Sequence, residues 1–509
     1  MEKKEKYKIG ELNKYQESKL KELLKRYEDI FAKDSKDLGR TNLAKHTIDV
    51  GDHKPFKETA YRVNPFKKEV IEKELKDMFG KNLIKRSNSP VTLVLKPNGK
   101  WRFCIDYRKL NGITRKDNHP LPRNDAIFDK LGGSKWFSTM DMASGYWQIG
   151  MEESDIEKTA FITHEGLWEW IVMPFGLTNA PATFQRTMQL VLGELFYTIA
   201  PVYIDDIIVP VHSETFEDHI RDLGEVFEKI RIANLKFGPE KCKFCFQEIK
   251  FLGHIIGKDG IKTDPTKIEK VKNYPRPVNI TQLRGFLGLA KYYRKYIKDF
   301  AKIAKPLNDL TKGFKSKPLE TREGIKMKRK KSEKEKNREN DEFMNNWGEK
   351  QEEAFELLKE KLITAPILIY PNFKREFILY TDASTIALGA ILHQKGDDGL
   401  EHVIAYENKT LNKAEQNYSI TELECLAVIW AVEKFDYYLE GNKFKVITDH
   451  IALKWLFNNA IPKGRIGRWI ARLQPYICNM EIIHKSGKKH TNADAMSRIE
   501  FKIENEREY

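Results

Sequence analysis

The sequence predicts a multidomain protein of mixed α+β and α/β class, and three observations lead there. Its 509 residues exceed what one ordinary hydrophobic core organises. Apolar residues make up 40% of the chain and aromatics 11%, enough for packed interiors. From Phe377 onward the pattern switches to strand, strand, helix, strand, helix, the signature of a separate α/β domain.

Residues 1–55 are polar, with one amphipathic stretch, Leu20 to Phe31, that predicts a short helix. Ala60-Tyr-Arg-Val-Asn-Pro65 reads as extended, because the position before a proline disfavours the helical region. Lys67 to Phe79 aligns Val70, Ile71, Leu75 and Met78 on one face and predicts a helix ending near Gly80. Val91 to Leu95 and Trp101 to Ile105 are strand-like runs around a turn at Lys96-Pro-Asn-Gly-Lys100. Pro181 opens a helix with Phe184, Met188, Val191, Leu192 and Leu195 on its apolar stripe. Gln282 to Phe300 and Gln351 to Leu362 also carry helical periodicity.

Lys and Arg number 89 against 74 Asp and Glu, a formal charge of +15. Such a balance suits a polyanionic partner, because cations set along phosphates release condensed counterions. Residues 313–342 hold eleven basic and seven acidic side chains, so most of the excess lies elsewhere. Eight of the thirteen residues from Lys326 to Arg338 are Lys or Arg, with few apolar side chains. This run predicts a disordered linker, since it buries too little to offset its ordering entropy. Lys328-Arg-Lys-Lys331 also has the composition of a nuclear-import signal or nucleic-acid tether. Five scattered cysteines fit a reducing compartment, and Cys242-Lys-Phe-Cys245, with no second pair, reads as structural rather than zinc-binding. The charged start is unlike a signal peptide, and no apolar run approaches the roughly 20 residues that span a bilayer. A soluble, intracellular protein, in a cytoplasmic particle or the nucleus, is the expectation.

Asp205 and Asp206 lie in Val202-Tyr-Ile-Asp-Asp-Ile-Ile-Val209, between two apolar, β-branched runs. The pattern predicts a hairpin with acidic residues at its tip. An ordinary turn is the plainer reading, but the tip has no Gly or Asn and its flanks are apolar. Two carboxylates about 4 Å apart repel by several kcal/mol at an intermediate dielectric, so they need a cation or a shared proton. Mg²⁺ prefers such oxygen ligands, with Mn²⁺ an alternative. A third ligand is available where the strand-like Trp136-Phe-Ser-Thr-Met-Asp141 ends on Asp141. Three carboxylates on adjacent strand ends suit two-metal phosphoryl transfer.

Tyr203-Ile-Asp-Asp206 resembles the YxDD box of reverse transcriptases. Met140-Asp-Met-Ala-Ser-Gly-Tyr-Trp-Gln148 and Met173-Pro-Phe-Gly-Leu-Thr-Asn-Ala-Pro-Ala-Thr-Phe-Gln185 resemble the Pol polyprotein of gypsy-type LTR retrotransposons. The resemblance runs from about Ala60 to Arg498, interrupted by the basic insertion. It implies a right-hand polymerase of fingers, palm and thumb, with Asp141, Asp205 and Asp206 as palm metal ligands. It implies that Tyr146 lies under the incoming sugar and excludes a 2′-hydroxyl; a core aromatic is the alternative. Arg102 matches the fingers arginine that contacts triphosphate, and Lys96 is a second nucleotide-binding candidate; both could equally be surface charges flanking a turn. Phe251-Leu-Gly-His254 resembles the hairpin that grips the primer end, although packing of Phe251 and Leu252 explains it equally well.

Four acidic residues near the C-terminus form a second set. Ile378-Leu-Tyr-Thr-Asp382 and Val446-Ile-Thr-Asp449 are apolar strands ending in Thr-Asp, Glu424 starts an apolar helix, and Asp494 starts another helical pattern. Each has a structural alternative: Thr421 with Glu424 fits a capping box, Thr-Asp fits an N-cap, and Asp494 suits a helix dipole. Together, in the order Asp, Glu, Asp, Asp, they resemble ribonuclease H. That resemblance implies metal ligation by Asp382, Glu424, Asp449 and Asp494 for cleaving the RNA of a hybrid, and a product-release role for His484. Lys463, Arg465, Arg468 and Arg472 supply a hybrid-binding face or a solvated one.

The expected organisation is a polar extension (1–55), fingers and palm (56–257), a thumb-like helical region (258–312), a basic disordered insertion (313–346), a connection with ribonuclease H-like domain (347–500), and a tail (501–509). The expected function is RNA-directed DNA polymerase with ribonuclease H, using Mg²⁺, an RNA template, a DNA primer, deoxynucleoside triphosphates and RNA–DNA hybrid. A catalytically silent, nucleic-acid-binding remnant of a retroelement is the alternative. No Asp-Ser-Gly or Asp-Thr-Gly protease motif and no His/Cys integrase module occurs, so transposition is not expected of this chain alone.

Overall fold

A computed structural model describes residues 7–54, 65–86, 91–95, 101–163, 166–210, 215–312, 318–320, 326–328, 333–450 and 464–485. The chain divides into two units, Met1–Leu252 with Ile256–Lys258, and Gly253–Ile255 with Asp259–Tyr509.

The first unit is built on a five-stranded sheet of β1 (Lys8–Ile9), β2 (Phe137–Asp141), β3 (Val202–Tyr203), β4 (Asp206–Pro210) and β5 (Lys243–Phe246). Its strand order is β1-β5-β2-β4-β3. Ile207, Ile208 and Val209 of β4 are fully buried, as an apolar run at the centre of a covered sheet must be. Helices α1 (Lys14–Arg26), α2 (Ala180–Leu192) and α3 (Phe216–Ile232) feed the same core, α1 through Leu20, Leu23 and Leu24, α2 through Phe184, Met188 and Val191. The polar N-terminal extension therefore contributes a strand and a helix to this sheet's core, although its apolar residues are few. α2 begins where Pro181 predicts, because proline suits a first helical turn.

Beyond that sheet, the helix Pro65–Gly80 places Ile71, Leu75 and Met78 against Trp168 and Trp170. Val91–Leu95 and Trp101–Ile105 pair antiparallel, as their composition predicts. Residues 96–100, with Lys96, lie outside the described residues.

In the second unit, the helix expected from Gln282 to Phe300 is broken. α4 (Ile280–Tyr292) is followed by a 3₁₀ turn (Arg294–Tyr296) and a short helix (Phe300–Ile303), with Asp299 left-handed at φ 57°. Within the insertion expected to be disordered, Glu333–Asn345 is α5. Its C-terminal end is anchored by fully buried Phe343, whose ring lies 5.6 Å from Trp347. α6 (Glu349–Ile363) follows. The α/β domain is a five-stranded sheet of β6 (Phe377–Ala383), β7 (Ala387–Lys395), β8 (Glu401–Thr410), β9 (Phe444–Thr448) and β10 (Met480–His484), in the order β8-β7-β6-β9-β10. The pattern of strand and helix expected here lacked β8 and β10. β8 is an edge strand rich in charge, so its sequence does not read as a buried run. α7 (Ile420–Lys434) is apolar nearly all round and buries nine residues, and α8 (Gly464–Arg472) packs on it. Among the described residues no helix is long and apolar enough to cross a membrane.

Candidate active sites

Two carboxylates of the first set face each other on paired strands, and the third lies in the adjoining turn. β4 runs antiparallel to β2 with Asp206 directly opposite Asp141, so both side chains leave the same face. β3 and β4 form a hairpin in which Tyr203 pairs with Asp206, leaving Ile204 and Asp205 as a two-residue turn. Ile204 takes φ 59°, a left-handed conformation costly for a β-branched residue. This is the turn chemistry that the missing Gly or Asn foreshadows. What holds it is Gln185 of α2, fully buried. Its Nε2 donates to Val202 O (3.2 Å), and its Oε1 accepts from Ile204 N–H (2.7 Å).

Burial, then the charges of Asp205 and Asp141, push the Asp206 carboxyl up to about 6. Asp141 is also raised, by burial first, even though Lys241 Nζ lies 2.6 Å from its Oδ1. Burial opposes the charge on Lys241, yet its bond to Asp141 and the charges of Asp205 and Asp206 leave it raised and protonated. Lys241 is thus a counter-ion for the triad. Sequence reading missed it, because it lies 100 residues from Asp141 and only the pairing of β5 with β2 brings the two together.

Tyr146 follows Asp141 on a 3₁₀ turn, Gly145–Gln148. Its half-buried ring stacks on Phe175 (centroids 5.2 Å) and leans on Phe184 (5.5 Å). Burial, then Asp205, push its hydroxyl up to about 12. A Cβ on Gly145 would stand 2.8 Å from Phe184 Cζ and 3.0 Å from Met142 Cβ, so any larger residue here must push the Phe184 ring or the turn aside. Arg102 sits on a strand opposite Val94; its side chain is outside the described residues. At the other hairpin singled out, Leu252 and Gly253 are left-handed. His254 Nδ1 lies 2.8 Å from the Tyr296 hydroxyl, and Tyr293 OH donates to Gly253 O at 2.6 Å. Cys242 and Cys245 are unpaired and buried, their thiols pushed up to about 12 by burial, in keeping with a structural role.

In the second unit Asp382 lies near the end of β6 and Asp449 immediately follows β9, on neighbouring parallel strands. Glu424 enters from α7. The capping box there is Ser419 with Glu422, not Thr421 with Glu424. Both spacings satisfy the pattern, and the helix starts two residues earlier than the sequence suggests. Glu424 is therefore free of the helix end. It is 5% exposed, and its Oε2 has no hydrogen-bond partner. Burial, then Asp449 and Asp382, push it up to about 8. Asp382 is raised by its partial burial, then by Asp299 and Asp449. His484, at the end of β10, has Nε2 3.0 Å from the Asp449 carbonyl oxygen. Asp494 lies outside the described residues.

Among the described residues no three or more His, Cys, Asp or Glu side chains are gathered closely enough to hold a metal as they stand. The donor sets nonetheless fit a hard divalent cation. Both are sets of carboxylates, in which burial and neighbouring charge raise Asp141 and Asp206 in the first and Asp382 and Glu424 in the second, and the orphaned Glu424 Oε2 is a buried acceptor without a donor.

Two family matches fall on these two sites. Residues 94–256 match the reverse transcriptase (RNA-dependent DNA polymerase) family, and residues 372–476 match the RNase H-like domain found in reverse transcriptase. The chain therefore carries a reverse transcriptase domain and an RNase H-like domain, and over most of its length it is similar to retrotransposon Pol polyproteins. It is 39% identical over 504 residues to the Retrovirus-related Pol polyprotein from transposon 297 of Drosophila melanogaster, covering 97% of this chain and 44% of that protein. To the corresponding polyprotein from transposon gypsy it is 35% identical over 467 residues, covering 89% and 42%. The chain thus spans less than half the length of these relatives. Its fold is shared with foamy viral protease-reverse transcriptase, solved in complex with double-stranded DNA. The TM-score is 0.76 at 22% identity, over 94% of this chain and 95% of that one. A structure of the same viral enzyme with RNA/DNA hybrid gives 0.73 at 21% identity, over 94% and 61%.

Proposed function

We propose that the chain is an RNA-directed DNA polymerase that also cleaves the RNA strand of RNA–DNA hybrids. The observation that carries this is the pairing of Asp141 with Asp206 beside Asp205, on a strained hairpin that Gln185 holds. Bound at these carboxylates, Mg²⁺ or Mn²⁺ would activate the primer 3′-hydroxyl and neutralise charge developing on the phosphates. Asp141, Asp205 and Asp206 are its ligands in this reading, and Lys241 balances their charge until it binds. Tyr146, stacked on Phe175, forms the wall against a 2′-hydroxyl, and Arg102 and Lys96 are assigned to nucleotide binding. In the ribonuclease H-like domain Asp382, Glu424, Asp449 and Asp494 hold the cation. His484, against the Asp449 backbone, aids release of the cleaved strand.

The partners in this reading are an RNA template, a DNA primer, their hybrid and deoxynucleoside triphosphates, met inside the cell in a cytoplasmic particle or the nucleus. Support comes from charge. Residues 258–312 carry fourteen Lys and Arg against five Asp and Glu, a concentration suited to a phosphate backbone. Primer extension on poly(rA)–oligo(dT) tests the polymerase: wild type extends, and Asp206→Asn is expected to lose at least a hundredfold. Equal extension by the two proteins contradicts the assignment. Tyr146→Val should admit ribonucleotides at least tenfold more readily relative to deoxynucleotides, and unchanged discrimination removes Tyr146 from the sugar wall.

A further inference from the structure

Asp299 belongs to none of the motifs, yet it stands at the second site. Asp382 on β6 pairs directly with Gly389 on β7, so a side chain on Gly389 would share a face with Asp382. Glycine leaves that space open, and the Asp299 carboxylate takes it: a Cβ on Gly389 would lie 3.3 Å from Asp299 Oδ1 and 3.9 Å from Asp382 O. The segment carrying Asp299 is fastened to the same domain. Arg294 lies 3.6 Å from Glu407 Oε1 on β8, and Lys434 of α7 lies 3.4 Å from the same oxygen. Phe300 and Ala301, which follow, are buried.

A left-handed backbone at 299 accounts for Gly, Asn or Asp equally well. It does not account for a negative charge set against Asp382, whose own charge acts on Glu424. Lys298 and Lys302 of the segment offset that charge at Asp382, but Asp299 and Asp449 outweigh them. A separate feature points to a cation: Glu424 Oε2, 95% buried by residue, has no donor of its own.

We propose that Asp299 is an outer carboxylate of the ribonuclease H-like cation site, supplied by a segment outside that domain's sheet. The inference rests on the reading of Asp382, Glu424 and Asp449 as that site. Through its charge, Asp299 raises the affinity for a divalent cation, and docking of residues 294–303 becomes linked to cation occupancy.

The test is Mn²⁺ binding by the full chain, followed by the electron paramagnetic resonance of free Mn²⁺, in an Asp205→Asn, Asp206→Asn background that silences the first site. Asp299→Asn should weaken binding on the order of tenfold, the effect of one nearby charge at a protein-surface dielectric. Asp299→Gly, which also accepts the left-handed backbone, should weaken it alike. Glu424→Gln should abolish it. Parental affinity in both Asp299 variants, with loss in Glu424→Gln, overturns this inference alone. Parental affinity in Glu424→Gln overturns the reading of the site on which it rests.

Discussion

Gln185 shows how single residues decide whether the acidic hairpin holds its shape. Its amide accepts from the N–H of the strained Ile204 and donates to the Val202 carbonyl two residues before it, so the turn persists without glycine. Gln185→Leu leaves the buried Val202 carbonyl and the half-buried Ile204 N–H without this partner, at about 1 to 3 kcal/mol for the buried group. Primer extension by that variant should lose kcat more than nucleotide affinity, with the thermal midpoint lowered. Extension kinetics equal to wild type contradict a positioning role. Gly145→Ala should cost about 1 to 3 kcal/mol through overpacking against Phe184 and Met142, read as a lower urea midpoint. The aspartates themselves were legible in the sequence as acidic residues set at the ends of apolar runs: Asp141, Asp382 and Asp449 after strand-like runs, Asp205 and Asp206 between two of them. Gln185, Lys241 and Asp299 were not. A glutamine inside a helix, a lysine in a turn and an aspartate in a basic segment carry no local signal, and long-range packing alone brings them to the sites.

At the scale of elements, the misreadings have a common physical source in composition shared by two outcomes. Ser419 and Thr421 both fit a capping box, and the start of the buried face of α7 decides for Ser419. β8 looks polar because one edge and one face meet solvent. Lys and Glu dominate residues 326–342, a composition that suits a solvated linker, yet both are also good helix formers. In α5 that propensity is anchored at its C-terminal end by buried Phe343, which packs on Trp347. Phe343→Ala should therefore destabilise the second unit by about 3 to 5 kcal/mol. Hydrogen exchange would show lost protection from Glu339 to Leu362, and unaltered protection contradicts the anchoring.

At the scale of the molecule, four buried histidines among the described residues, His46, His219, His254 and His393, are held neutral by burial, lowered to about 4, 3, 3 and 4. Because their folded values lie below the unfolded value near 6.5, the unfolded chain binds more protons between the two. Stability is thus full above about pH 6.5 and falls as pH drops towards the folded values. Each contributes on the order of 1 to 2 kcal/mol of loss by pH 5. Glu424 and Asp206, raised to about 8 and 6, and Asp141 and Asp382, also raised, act in the opposite sense and make the fall smaller than the histidines alone would give. The urea midpoint should fall from pH 7 to pH 5, and a rise would contradict the burial of these rings. The central claim, two independent chemistries in one chain, is tested most directly by separating them. Asp205→Asn and Asp449→Asn are assayed side by side for extension on an RNA template and for cleavage of a preformed, labelled RNA–DNA hybrid. The account predicts that Asp205→Asn loses extension and keeps cleavage, while Asp449→Asn does the reverse. Loss of both activities in either well-folded variant, or retention of both, would contradict it.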